Sequence, residues 1–273
     1  MEIGAISLVL VGAGKMGGAM LAGWLDMGLD AAKVSVIDPG LPEEMGLLSA
    51  QKGFCLAASP AAIACPDILV VAVKPQMMDT VLPSLVGLVG KDTIVVSVAA
   101  GTPVATFTAH LGAGARVVRA MPNTPAQVGR GMTAAFASKG VELEMRTVTA
   151  ALLSSMGKFV WVETESHIDA VTAISGSGPA YVFHMVEAMA KAGEALGLDA
   201  RTADILARQT VVGAGELLHQ SDLPAATLRQ NVTSPGGTTA AALAVLMAEE
   251  TGLPQLMEKA AVAARDRSIA LSK

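Results

Sequence analysis

The feature that most limits how this chain can fold is an alternation of short apolar runs with helical stretches across its first half. Ser7 to Val11, Val34 to Ile37, Ile68 to Val73, Thr93 to Val98 and Arg116 to Ala120 read as strands. Strands spaced by helices predict a parallel, doubly wound sheet. The runs are continuous rather than alternating, as expected of strands covered on both faces by crossover helices. A helix over Glu142 to Ser155 and a short strand over Lys158 to Val162 close this domain. Beyond Glu163 the strand signals stop. Helical stretches follow at Pro179 to Leu196, Thr202 to His219, Thr238 to Glu250 and Pro254 to Leu271.

The first turn refines the fold. After Val11 come Gly12, Ala13, Gly14, Lys15, Met16 and Gly17, then a helical run through Leu25 that ends near Gly28. This is G-x-G-x-x-G in a strand-turn-helix setting. Gly12 permits a tight turn, Gly14 lets the backbone approach a pyrophosphate, and Gly17 lets the helix pack close to the strand with its N-terminus aimed at the phosphates. An ordinary tight turn is the competing reading. Asp38 weighs against it, because it ends the second strand 21 residues past Gly17, where an acidic group holds a ribose 2′-hydroxyl. The fold class is thus α/β: an N-terminal Rossmann-like doubly wound domain over residues 1–163, followed by an all-helical domain over residues 164–273.

Open α/β sheets bind ligands at the carboxyl ends of their strands. Val73, Lys74 and Pro75 end one strand there, so Lys74 either faces a dinucleotide or is a solvated lysine that stops a strand. The run Ser97 to Gly101 ends the next. Its Ala99 and Ala100 leave room for a flat ring, or simply turn the chain before a helix. Met121, Pro122 and Asn123 follow the last parallel strand and either line the same site or form a rigid two-proline loop.

Composition narrows the function classes. Of 273 residues, 52% are hydrophobic but only 3% aromatic, so the core must be built from Ala, Val, Leu, Ile and Met. A net charge of −5, without a block of like charges or a basic stripe, offers nothing to follow a phosphate backbone, and no nucleic-acid partner is expected. The longest apolar runs are about a third of what a spanning helix needs, so no membrane segment is expected. Glu2 leads into an apolar strand without a basic leader, which points to a cytoplasmic protein. Cys55 and Cys65 have no His or Cys neighbours and offer neither a disulfide framework nor a zinc ligand set. Both read as buried small hydrophobes, and no metal is expected.

In the helical half, Tyr181, Val182, Phe183, Met185, Val186, Met189 and Ala192 leave Pro179 to Leu196 almost no polar face. A helix apolar all round must be buried all round, and about 110 residues do not easily surround it. A second subunit supplies the cover. The expectation is a homodimer, or a higher homo-oligomer, built on the helical domain.

Arg119 to Pro125 (RAMPNTP), Ser175 to Pro179 (SGSGP) and Ser234 to Thr239 (SPGGTT), taken with the glycine turn, closely resemble the pyrroline-5-carboxylate reductase family over nearly the whole chain. The SPGGT loop is the most specific element and G-x-G-x-x-G the least. The resemblance implies reduction of 1-pyrroline-5-carboxylate to L-proline by a reduced nicotinamide cofactor, the last step of proline synthesis. It also implies a dimer whose helical domains interlock around a shared active site. Ser234, Gly237 and Thr238 would bind the substrate carboxylate, with Gly236 in the same loop, and Thr239, the catalytic candidate, would hydrogen-bond the ring nitrogen.

The residues fit that chemistry. Pro235, Gly236 and Gly237 precede a helix beginning near Thr238, whose N–H groups form an anion site. The same pattern also reads as a capped helix start with a proline turn. No His, Asp or Glu lies within the three loops, and His110, His167, His184 and His219 sit in helical or linker contexts. An imine is basic enough to arrive partly protonated, so positioning and a hydroxyl hydrogen bond suffice without a tuned acid. His184, on an apolar helix, reads as a core or interface histidine.

Two other functions compete. A β-hydroxyacid dehydrogenase uses a lysine base near the start of its long interdomain helix, but Ile174 to Met189 contains none and Lys191 comes more than three turns in. A non-catalytic nucleotide sensor has no use for a carboxylate-shaped SPGGTT loop. As to cofactor, many members of the resembled family end the second strand with Ser, Thr or a basic residue that welcomes a 2′-phosphate. Asp38 repels one, and Pro39, Gly40, Leu41, Pro42 and Glu43 offer no compensating cation. NADH is therefore expected to be favoured over NADPH, with Lys15 and Lys33 the cations able to blunt the preference.

Overall fold

The computed structural model describes residues 3–40 and 43–272; Glu2, Leu41, Pro42 and the side chain of Glu43 lie outside them. The first part alternates strand and helix: β1 (Leu8–Val11), α1 (Lys15–Asp26), β2 (Val34–Ile37), α2 (Glu43–Lys52), β3 (Cys55–Ala57), β4 (Ile68–Val71), α3 (Met78–Val81), β5 (Ile94–Ser97), α4 (Val104–Leu111), β6 (Arg116–Met121), β7 (Gly131–Ala137), α5 (Leu143–Leu153) and β8 (Gly157–Trp161). The eight strands form one sheet in the order β3-β2-β1-β4-β5-β6-β7-β8. From β3 to β6 neighbouring strands are parallel, as expected; β7 runs antiparallel to β6, and β8 parallel to β7.

The apolar runs are buried on both faces because each face has its own helical cover. Leu8, Leu10, Val36, Val70 and Val96 pack with Met20 and Trp24 of α1 and Leu152 of α5. Val9, Val71, Val95 and Val117 pack on the other face with Leu82, Leu85 and Phe107. Each fully buried Leu or Val contributes roughly 1.5–3 kcal/mol. Trp24 is fully buried and still satisfied, since its indole N–H donates to the Leu152 carbonyl at 2.9 Å.

Two strands carry too little signal to be read from sequence. β3 has three residues and sits at the sheet edge. β7, Gly-Met-Thr-Ala-Ala-Phe-Ala, is poor in strand formers and owes its conformation to pairing with β6 and β8. The expected burial of both cysteines is corrected: Cys55, on the edge strand β3, and Cys65, in the loop before β4, are exposed. The Cys65 thiol donates to the Gly87 carbonyl at 3.3 Å.

Beyond β8, among the described residues, every regular element is helical, as expected: α6 (His167–Val171), a π-helical turn (Thr172–Gly176), α7 (Gly178–Ala195), α8 (Ala200–Gln220), α9 (Ala225–Asn231), α10 (Thr238–Leu246) and α11 (Leu253–Leu271). Packing divides the chain into two compact units, Met1–Gly176 with Ala264–Lys273, and Ser177–Ala263. The first unit thus runs past the last strand, which ends at Trp161, to Gly176 and also takes in the end of α11. Among the described residues no helix is long and apolar enough to cross a membrane.

In the second unit α7 packs on α8 with Gly193 against Ala203, whose Cβ would lie 3.1 Å from a Cβ at the glycine. The α8 N-terminus is capped by Asp199, which accepts the Thr202 N–H at 3.0 Å. No residue of α7 is buried within the chain, and Phe183 is 63% exposed. The helix expected to be covered all round is thus only partly covered in a single protomer, with Tyr181, Val186 and Ala190 half-buried and Val182, Phe183, Met185 and Met189 exposed. His184 is exposed and bonded to Glu187 at 3.0 Å, which excludes the core alternative for this histidine.

Candidate active site

The parallel strands end along one edge of the sheet in register. Val11 lies beside Ile37 and Val71, Val71 beside Ser97, and Ser97 beside Arg119. The loops that follow therefore gather Gly12 to Met16, Asp38, Val73 to Pro75, Ala99 to Ala100 and Met121 to Asn123 along that edge. They flank the point between β1 and β4 where the strand order reverses, the place where open sheets hold ligands.

The glycines of the first turn separate by what surrounds them. Gly12 has φ +93° and a Cβ there would lie 2.8 Å from the Ala72 carbonyl oxygen; a Cβ at Gly17 would collide with the Gly12 carbonyl oxygen. At Gly14 nothing lies within 4 Å. Packing thus demands glycine at 12 and 17, and leaves a cradle open at 14. Gly14 is also the N-cap of α1 and no side chain caps that helix, so its first-turn N–H groups remain for an anion. These features fit a dinucleotide pyrophosphate.

Asp38 accepts the Ala13 N–H at Oδ2 (2.8 Å) and the Gly40 N–H at Oδ1 (2.9 Å). The carboxylate ties the end of β2 to the glycine turn and keeps a second lone pair on each oxygen. Lys33 does not compensate its charge. It precedes β2, at the opposite end of the strand, and its Nζ donates to the Ala5 carbonyl at 3.1 Å.

Along the remaining loops, Lys74 and Ala100 are exposed, while Ala99 and Pro122 are buried. The Asn123 side chain is engaged within the fold: its Oδ1 accepts the Met132 N–H at 2.8 Å, and its Nδ2 donates to the Ser175 carbonyl (3.2 Å) and lies 3.3 Å from the Ser175 hydroxyl. A Cβ on Gly176 would come 2.5 Å from Met121 Cε. Met121 and Asn123 of RAMPNTP are therefore packed against Ser175 and Gly176, the end of the π-helical turn Thr172–Gly176, a distortion common at functional sites. Spacing alone gave no sign of this.

SPGGTT lies in the second unit. Gly236 has φ +71°, the Gly237 N–H donates to the Ser234 carbonyl at 3.0 Å, and α10 begins at Thr238 as expected, with Gly237 as an N-cap that has no side chain to close the helix end. A Cβ at Gly237 would collide with the Ser234 hydroxyl oxygen. The turn therefore presents first-turn N–H groups beside the hydroxyls of Ser234, Thr238 and Thr239, a donor set suited to a carboxylate. Among the described residues no three His, Cys, Asp or Glu side chains group to hold a metal.

Comparison with known proteins matches two stretches of the chain to separate family models. A family model described as pyrroline-5-carboxylate reductase dimerisation matches residues 165–271, and one described as NADP oxidoreductase, coenzyme F420-dependent, matches residues 7–101. The chain is 38% identical over 266 residues to the pyrroline-5-carboxylate reductase of Pseudomonas aeruginosa, spanning 97% of each chain. A solved pyrroline-5-carboxylate reductase from Coxiella burnetii matches with a TM-score of 0.90 and 34% identity over 98% of this chain and 99% of that one. The Plasmodium falciparum pyrroline carboxylate reductase, solved with NADP bound, matches with a TM-score of 0.81 and 28% identity over the whole of both chains. With relatives this similar along their entire length, the chain belongs to the pyrroline-5-carboxylate reductase family.

Proposed function

We propose that the chain reduces 1-pyrroline-5-carboxylate to L-proline with a reduced nicotinamide dinucleotide, the final step of proline biosynthesis. The observation that carries this, in a member of this family, is one chain holding two anion cradles: α1 behind a glycine turn left open at Gly14, and α10 behind SPGG, with hydroxyls beside it. The bound cofactor supplies the hydride. Gly12, Ala13, Gly14, Lys15 and Met16 hold its pyrophosphate, Asp38 its adenosine ribose, and the loops at Val73 to Pro75, Ala99 to Ala100 and Met121 to Asn123 line the nicotinamide side. Ser234, Gly236, Gly237 and Thr238 take the substrate carboxylate, which turns the ring so that Thr239 meets its nitrogen. The imine nitrogen arrives protonated, so Thr239 orients and stabilises it rather than supplying the proton.

The functional division follows the same lines: residues 1–163 bind the dinucleotide, and residues 164–273 bind the substrate and form a homodimer, or a larger assembly built from it. NADH is favoured over NADPH because the Asp38 carboxylate stands where a 2′-phosphate would lie. The cytoplasm, which holds a reduced nicotinamide pool, is the proposed place of action. The deciding experiment is oxidation of NADH and NADPH in parallel by purified protein, with and without pyrroline-5-carboxylate. Proline formation coupled to oxidation is expected, and imine-independent oxidation or none at all rejects the reading.

A further inference from the structure

Glu165 stands outside every motif described above, yet its carboxylate joins two elements of the first unit. Its Oε1 accepts the N–H of Val104, the first residue of α4, at 2.7 Å and Nη1 of Arg119 at 3.1 Å. Arg119, on β6, is 3% exposed. Its Nη2 lies 3.5 Å from Oδ1 of Asp169, which also accepts the Ser268 hydroxyl at 2.8 Å. Arg119 Nε is buried without a hydrogen-bond partner, so the guanidinium depends on these two carboxylates, and losing one leaves a buried charge underpaired.

The cluster acts on a specific loop. The N-cap of α4 is Pro103, which has no side-chain acceptor, so Glu165 supplies from outside both the acceptor and the negative charge that a helix N-terminus favours. Between β5 and α4 lie Val98 to Pro103, including Ala99 and Ala100. The near end of this loop is held where the Ala99 N–H donates to the buried Ser97 hydroxyl at 3.3 Å. Its middle, Gly101 at φ +68°, is seated so that a Cβ there would come 3.2 Å from Leu271 Cβ. Its far end is held by Glu165.

We propose that Glu165, clamped by Arg119, is a positioning residue for the dinucleotide: it fixes the start of α4 and with it the Ala99–Ala100 loop that lines the nicotinamide side. This rests on the reading that places that loop at the cofactor. The test measures the NADH Kd by fluorescence titration, and KM for both substrates, in full-length Glu165→Gln, Glu165→Asp, Ser268→Ala and Ala100→Leu proteins. Glu165→Gln is expected to raise Kd and KM for NADH about fivefold while the imine KM stays within about twofold. Glu165→Asp recovers part of the loss, and Ser268→Ala gives a smaller shift of the same sign, which decides the matter if Glu165→Gln does not fold. Weaker binding in Ala100→Leu with unchanged Kd in Glu165→Gln and Ser268→Ala overturns the positioning role alone. Unchanged Kd in all three overturns the placing of the loop and the positioning role with it. Equal rises in both KM values also overturn the proposal, since they mark general loss of structure.

Discussion

The Asp38 carboxylate accepts the Ala13 amide at 2.8 Å, so the residue proposed to hold the ribose also braces the glycine turn proposed to hold the pyrophosphate. A dianionic 2′-phosphate would meet a carboxylate already oriented by two N–H groups, with Lys33 engaged at the far end of β2. At an effective dielectric near 20 such a contact costs on the order of a few kcal/mol before screening, enough for a preference of about tenfold or more. Asp38→Ser is expected to narrow the NADH preference by lowering KM for NADPH, and to raise KM for NADH as the brace on Ala13 is lost. Equal kcat/KM for both cofactors in the unaltered protein would show that Asp38 does not set the choice.

Gly17 tests the other side of that turn. Its added Cβ would meet a backbone carbonyl, that of Gly12, which cannot swing aside as a flexible side chain can. Gly17→Ala should push α1 away from β1, weaken dinucleotide binding by about tenfold or more and lower Tm. Gly14→Ala meets open space and should leave Tm unchanged. Calorimetry and NADH titration on the pair separate packing from ligand approach; loss of Tm at Gly14 but not Gly17 would reverse the assignment.

What the sequence makes legible is whatever a local pattern encodes. Continuous apolar runs mark β1, β2, β4, β5 and β6 because both faces of each are covered, and glycine at 17 is demanded by the Gly12 carbonyl five residues back in the same turn. β7 escapes notice because its Ala and Gly residues become a strand only between β6 and β8. The Glu165–Arg119 pair and the Asn123–Ser175 bonds are equally silent, since each joins residues about fifty positions apart that share no periodicity. The exposure of Cys55 is silent as well, because burial at an edge strand depends on what lies beyond it.

Thr239, in the first turn of α10, is the hydroxyl proposed to meet the imine nitrogen. Removing one positioned hydrogen bond should lower kcat/KM of Thr239→Ala by roughly 10-fold to 1000-fold while leaving the NADH Kd unchanged. Thr239→Ser should retain most of the activity. Steady-state kinetics on both variants decide the role, which fails if the alanine variant turns over like the unaltered protein.

Asp199 links stability of the helical unit to pH. Its carboxyl is held below the ordinary value of 3.8, first by the Thr202 hydroxyl and then by the Thr202 backbone N–H. A depressed folded value means the cap stabilises fully above the ordinary value and is lost as pH falls through the folded one. Asp199→Ala should therefore lower Tm at pH 7, and its deficit should shrink as the pH drops below 3.8. A deficit that stays constant into acid would show that the charge contributes nothing to the cap.

The uncovered faces of the helical unit make the last prediction. α7 buries none of its residues within the chain, although Val182, Phe183, Met185 and Met189 lie along it, and Ile205, Leu206, Val212, Leu217 and Leu218 of α8 are exposed as well. Leaving so much apolar surface in water is costly at roughly 25 cal/mol per Å², and monomeric proteins rarely expose contiguous patches beyond a few hundred Å². A two-fold contact lets the same surface cover itself, and an obligate interface of this kind buries more than about 2,000 Å². Light scattering on dilute protein should give a mass of at least two chains. Phe183→Asp places a charge in the middle of the α7 face, so it should dissociate the assembly and abolish activity together. A stable, active monomer of the unaltered chain would overturn the interface.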